Sequence, residues 1–216
     1  MQSLKIDLVS DLVCPWCYIG YKQFEKALTL MQTKVDLELE WHPFELNRTL
    51  PAEGEAIAQH LQRKYGVEPG VMSAQRQQMI DLASSLGINL TYGEGRRIYN
   101  TFNAHRILHW AREQGKQNAF NLALFKAYFE QGFNPSDPEV LMDTARDLSL
   151  DAGEVKEILE SNKYINEVRA EQNTYTSMGI QGVPTFIVNN KYPVTGAQDA
   201  TVLAQMFDKV CAAQLT

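Results

Sequence analysis

Cysteine is scarce in this chain of 216 residues, which has only Cys14, Cys17 and Cys211. Three are too few for a secreted scaffold of this size held together by disulfides. In a reducing cytosol a close pair is catalytic, redox-sensing or metal-binding more often than structural. A basic excess is also missing. Lys and Arg number 20 against 26 Asp and Glu, a formal net charge of −6, which argues against a nucleic-acid partner that would need a basic face. No apolar run approaches the roughly 20 residues of a spanning helix, so no membrane partner is expected. The opening MQSLKIDLVSD has no basic segment followed by an apolar stretch and a small-residue cleavage site, so no signal peptide is read and the expected location is cytoplasmic. Internal repeats, low-complexity tracts and polar linkers are absent too. What is present, 44% hydrophobic and 21% charged residues, is enough for a sizeable core. The length suits one large domain, or a small one carrying a second.

Leu4 to Val9 alternates in period two, as a strand with one buried face does. After the cysteine pair, Phe24, Ala27, Leu28 and Met31 recur at helical spacing. Val35, Leu37, Leu39 and Trp41 then alternate with charges in a second strand that Pro43 ends. Strand, helix, strand is a βαβ unit, with parallel strands and a right-handed crossover. The middle of the chain reads as helices: from Ser73 to Leu86 before Gly87, from about Glu94 past Trp110 to Gly115, and from Asn118 to Gln131 before Gly132. Asp137-Pro138 places a cap and a first-turn proline, and Asp151 with Glu154 is a capping-box-like start. Strand character returns in PTFIV. Asn189-Asn190 is a turn signal and KYPV an antiparallel partner, with Pro193 expected at an edge. A helix from about Asp199 to Ala213 closes the chain. The expectation is an α/β protein in which a βαβ part (1–50) and a ββα part (171–216) bracket an all-α insertion (51–170). That is the division expected of a thioredoxin fold interrupted by a helical domain.

A C-x-x-C pair can hold a metal, close as a catalytic disulfide, or only pack. Here it lies where a strand gives way to a helix, so Cys14 occupies the N-cap region. Unpaired N–H groups and the positive dipole end there favour thiolate over thiol. Pro15 suits a first turn that has no N–H partner to lose. The two-residue spacing brings Cys17 back over one turn, ready to attack a mixed disulfide at Cys14. Far away, Gly182-Val183-Pro184-Thr185 places a proline, for which a cis bond costs little, at the start of a buried-looking strand.

With CPWC near one end and GVPT near the other, the chain resembles the thioredoxin superfamily, and the helical insertion resembles the DsbA family. DLVCPWCYIG, PFELN (43–47), NTFNAHR (100–106), LFKAYF (124–129) and GVPTFIV are similar to its FrnE-like branch. The resemblance implies that Cys14 is the exposed nucleophile, Cys17 the resolving thiol and Pro184 a cis-proline facing them. The Val183 backbone would pair with an extended substrate peptide, and Phe44 and Asn47 would line the groove. Two departures matter. The dipeptide is Pro-Trp, whereas strongly oxidising relatives carry Pro-His, so strong oxidising power is not expected. The strand before the pair lacks the inward carboxylate that relatives often bury there. Asp7 falls opposite Leu4, Ile6 and Leu8, which leaves Asp11 as the candidate for local proton traffic. Kappa-class glutathione transferases and 2-hydroxychromene-2-carboxylate isomerases of the wider family hold a serine at the position of Cys14. They also tend to carry a Ser-Asp pair where this chain has Thr195-Gly196-Ala197-Gln198.

The bland readings stand beside these. Cys14 and Cys17 with His105 and His109, four apart on a predicted helix, have the ligand types of a zinc site but not its compact spacing. His105 and His109 are more simply core residues, though His105 can instead face the cysteines from the insertion and adjust the thiolate. Trp16 is a candidate substrate contact. Cys211 reads as a small buried hydrophobe. The favoured function is thiol–disulfide exchange of the Cys14–Cys17 pair with protein, peptide or small thiol substrates, with glutathione as a candidate redox partner. No metal and no bound cofactor are needed, because the redox equivalents reside in the cysteines. The chain acts as a monomer or homodimer. The alternatives are a glutathione-dependent transferase or isomerase, and a zinc-binding protein without catalysis.

Overall fold

A computed structural model describes residues 2–66, 73–91 and 95–213. Strand β1 (Gln2–Ser10) leads into helix α1 (Pro15–Leu30), and β2 (Val35–Pro43) returns parallel to β1, from Gln2 beside Val35 to Ser10 beside Pro43. The chain then leaves the sheet. A short strand β3 (Glu55–Ala56) opens helix α2 (Ile57–Tyr65), followed by α3 (Ser73–Ser85) and a second short strand, β4 (Arg97–Ile98), antiparallel to β3. Helices α4 (Phe102–Glu113), α5 (Gln117–Phe129), α6 (Pro138–Asp147), α7 (Ala152–Glu160) and α8 (Ile165–Ser177) follow. The chain rejoins the sheet with β5 (Thr185–Val188), antiparallel to β1, and β6 (Tyr192–Thr195), antiparallel to β5, and ends in α9 (Ala200–Ala212). The order β2-β1-β5-β6 puts Pro193 on the edge strand expected for it, where its missing N–H breaks no ladder.

Central β1 is buried on both faces. Leu4, Ile6 and Leu8 face α1 and α9, where Phe24 meets Phe186 and Phe207 at centroid distances of 5.9 Å. Val9 packs on the other face with Ile180 and Ile187. That second layer buries Asp7, which strand alternation alone would leave to solvent. β2, an edge strand, is completed by a side chain. Gln117 of α5 accepts from the Trp41 N–H (2.9 Å) and donates to the Trp41 carbonyl (2.8 Å), as a neighbouring strand would.

One predicted helix starts late. It begins at Phe102, not near Glu94, which lies outside the described residues. Gly95 has a left-handed backbone, Arg97 and Ile98 pair with β3, and Asn100 Oδ1 accepts from the Phe102 N–H to start the helix. Arg97 donates to the Glu53 and Gly54 carbonyls, so a long-range ribbon overrides a periodicity that continues smoothly through it. Asp137 and Asp151 cap α6 and α7 as expected. Glu154 does not close a capping box, because its carboxylate accepts from Trp110 Nε1 at 2.6 Å. No described helix is long and apolar enough to cross a membrane.

Candidate active site

Cys14 is the N-cap of α1, with extended backbone (φ −92°, ψ 112°), and Pro15 opens the first turn. The Cys14 N–H donates to the Asp11 carbonyl (3.1 Å), and the Cys17 N–H donates back to the Cys14 carbonyl (3.0 Å), so a tight turn fixes both sulfurs. All three cysteines are free thiols. Cys17 is fully buried. Burial, followed by the adjoining Cys14 thiol, pushes its pKa well above the ordinary 9.0, against smaller opposing effects of Ser10 and the Asp11 backbone. Cys14 is less exposed than the resemblance implied, at 5%. The Val183–Pro184 segment covers it.

That segment has the cis Val183–Pro184 bond, and the Cys14 thiol donates to the Val183 carbonyl at 3.7 Å. Thr185 Oγ1 donates to the Gly182 carbonyl (2.8 Å) and steadies the turn before β5. Cys14 and Val183 also line a cavity of about 410 Å³ between the sheet and the helical region. Leu46, Leu61, Met79 and Phe129 give it an apolar wall, and Asn47 and the 43%-exposed Trp16 lie on it. Lys64 on its rim donates to Asn47 Oδ1 (2.9 Å) and to the Leu46 carbonyl (3.0 Å). The structure thus brings Trp16, Val183 and Asn47 together around Cys14. Phe44 and His105 lie behind this group. The Phe44 ring packs with Val9 and Ile187, and His105 Nε2 contacts the Phe44 carbonyl at 2.9 Å. Cys211 is buried in the core.

The NTFNAHR segment is a set of clamps. Asn100 Nδ2 donates to the Arg48 carbonyl (3.1 Å), and the Thr101 hydroxyl donates to Asp11 Oδ1 (2.8 Å). Asp11 Oδ2 accepts from the Leu46 N–H (2.7 Å), so both carboxylate oxygens tie the turn before Cys14 to the segments after β2 and before α4. Buried Arg106 donates to the Ile158 carbonyl in the last turn of α7 and to the Ser161 and Lys163 carbonyls just beyond it. His105 and His109 do not join the cysteines as a ligand set. Among the described residues, the one group of metal-ligating atoms within 4.8 Å of one another is Asp7, Glu40 and His42.

Sequence reading missed what surrounds that group. His42 Nε2 contacts Asp7 Oδ1 (3.0 Å) and Nδ1 contacts Glu171 Oε1 (2.5 Å), while Arg112 bridges Glu171 and Glu40. Burial alone would lower the His42 pKa, but the two carboxylates outweigh it and raise it. Burial likewise works against the charged forms of Glu171 and Asp7. The neighbouring His109 and His42 rings hold Glu171 well below its usual range, and His42 with Lys5 lowers Asp7. The cluster is a buried charge network joining the sheet to α4 and α8. Both imidazole nitrogens of His42 are already engaged, which leaves no free donor set for a metal.

Residues 5–208 match the DSBA-like thioredoxin domain, and the chain belongs to that family. It is 31% identical to a probable DsbA oxidoreductase from Streptomyces coelicolor, covering 95% of this chain and 89% of that one, with a TM-score of 0.89. The Bacillus subtilis protein YwbO is 28% identical over 190 residues, 88% of each chain. A 2-hydroxychromene-2-carboxylate isomerase shares the fold (TM-score 0.73, covering 98% of this chain and 99% of that one) at 17% identity.

Proposed function

We propose that the protein is a thiol–disulfide oxidoreductase, exchanging its Cys14–Cys17 dithiol or disulfide with thiols and disulfides of peptides or small molecules in a reducing cytoplasm. Cys14 attacks or is attacked, Cys17 resolves, and the Val183–Pro184 backbone holds an extended substrate beside Cys14. One observation carries the reading: the thiol at the α1 N-cap meets the carbonyl preceding Pro184, with the second thiol one turn behind it. The cavity beside Cys14 suits one or two substrate side chains or a small thiol, with Trp16 and Asn47 as contacts. Phe44 and His105 support the site from behind. The chemistry needs no cofactor, since two electrons are carried by the sulfur pair itself.

The competing reading is a glutathione-dependent transferase or isomerase. Its fold is shared, but a second thiol against the first has no use in conjugation, and this disfavours it. Two measurements test the proposal. After oxidant and then reductant, alkylation should shift the mass by two thiols together. Cys17→Ala should accumulate a mixed disulfide at Cys14 with a thiol substrate. A Cys14 that forms no adduct sinks the exchange mechanism, and tight binding of glutathione to the fully reduced protein would favour the competing reading.

A further inference from the structure

If the exchange proposed above operates, Cys17 must lose a proton that cannot go directly to water, because its sulfur is fully buried and burial disfavours its thiolate. Ser10 stands beside it, with its Oγ buried and making no hydrogen bond. Ser10 also walls a small cavity of about 10 Å³, roughly the space one water molecule needs. The other polar walls include His42, His105, His109, Asn121 and Glu171. Asn121 Nδ2 is a second buried donor without a partner. Two orphaned polar groups on one water-sized polar cavity are what an internal water satisfies.

Three histidines face this cavity, and their partners distinguish them. His42 has a carboxylate on each ring nitrogen, Asp7 and Glu171, and so has no nitrogen open to the cavity. His109 Nδ1 accepts from the Arg112 guanidinium (3.0 Å) and lies 3.6 Å from Glu171. His105 Nε2 meets the Phe44 carbonyl at 2.9 Å, so that nitrogen carries a proton and Nδ1 is the ring's remaining position for accepting one. Asp11, 3.8 Å from His105 Nε2, places a carboxylate where an imidazolium would form. Ser10 and His105 are also held together, because the Phe44 N–H donates to the Ser10 carbonyl (3.0 Å).

We propose that Ser10, the cavity water and His105 form the proton path of Cys17, with Ser10 as the relay and His105 as the acceptor. With a disulfide substrate, the Cys14 thiol gives its proton to solvent in the groove it borders, and its sulfur forms a mixed disulfide and displaces one substrate thiolate. Cys17 then passes its proton through Ser10 and the water to His105. Its sulfur attacks the Cys14 sulfur, the Cys14–Cys17 bond forms, and the bond to the substrate breaks. The second substrate thiolate leaves with the electron pair and can take up the proton from His105. Two electrons pass from the protein dithiol to the substrate disulfide. In the reverse direction the same path returns a proton to Cys17.

An aromatic disulfide reagent that releases a coloured thiolate at each step separates the two events by stopped flow. Ser10→Ala removes a hydroxyl that has no partner, and His105→Gln keeps a donor for the Phe44 carbonyl, so neither breaks a structural bond. In both variants the first release should keep its rate. The second should slow by about tenfold or more at neutral pH, the lower end of general-base effects being larger still, and should recover toward the wild-type rate as pH rises. No slowing, equal slowing of both releases, or slowing independent of pH overturns the proton path. Absence of a first release from the wild-type protein would instead overturn the exchange reading.

Discussion

Gly20 lies directly beneath Pro184: a Cβ at position 20 would sit 2.9 Å from the proline Cγ and 3.5 Å from Ala197. Helix α1 therefore presents a bare backbone where the segment carrying Val183 must approach Cys14. Two effects compete in Gly20→Ala. Helix propensity favours alanine by about 1 kcal/mol, while overpacking against a rigid ring costs about 1–3 kcal/mol. The collision wins, since neither the helix backbone nor the proline ring can yield alone. The expected result is a lower midpoint in urea denaturation and slower mixed-disulfide formation. A variant more stable than wild type would show that the segment can move aside freely.

The two cysteines should react in sequence with an alkylating agent. Cys17 is fully buried and its pKa is raised by burial and by Cys14, whereas Cys14 borders the cavity. With limiting reagent at mildly alkaline pH, peptide mapping should find the label on Cys14, and modification of Cys17 should need denaturation. Equal labelling of the two in the folded protein would contradict this geometry.

The His42 network makes part of the stability depend on pH, and the signs can be worked through. The His42 pKa is raised above 6.5 in the folded state, so its contribution is complete below 6.5 and fades as pH rises through the folded value. The pKa values of Glu171 and Asp7 are lowered from 4.5 and 3.8, so their contribution is complete above those values and fades as pH falls through the folded ones. The stability gap between wild type and His42→Gln should therefore be widest between pH 4.5 and 6.5 and narrow above it. Denaturant titrations across that range read the gap directly, and a constant gap would mean that His42 acts by packing alone.

Arg106 is a buried cation whose partners are the carbonyls of Ile158, Ser161 and Lys163, together with Asn103. Arg106→Met keeps the stem but strands those acceptors, at an expected cost of about 2–4 kcal/mol. Because the contacts hold the end of α7 and lie away from Cys14, alkylation of Cys14 in the folded variant should keep its wild-type rate. A stability change below about 0.5 kcal/mol, the range of neutral surface substitutions, would show that water replaces the guanidinium.

The sequence by itself determined the fold class, the strand-to-helix position of Cys14, the first-turn place of Pro15, the Pro193 edge strand and the caps at Asp137 and Asp151. Each of these depends on local periodicity, or on a residue whose backbone preference is strong in any context. Only the tertiary structure decided the late start of α4, where pairing with Glu55–Ala56 outweighs helical periodicity, and the exposure of Cys14, which the Val183–Pro184 segment covers. It also decided what happens to Asp7, His42 and Glu171. They come from three elements distant in sequence, and α8 covers the second face of the sheet, so charges that alternation assigns to solvent become a paired buried network. Pairing of this kind leaves no trace in spacing, because burial on the second face is imposed by a helix more than 120 residues away in the chain.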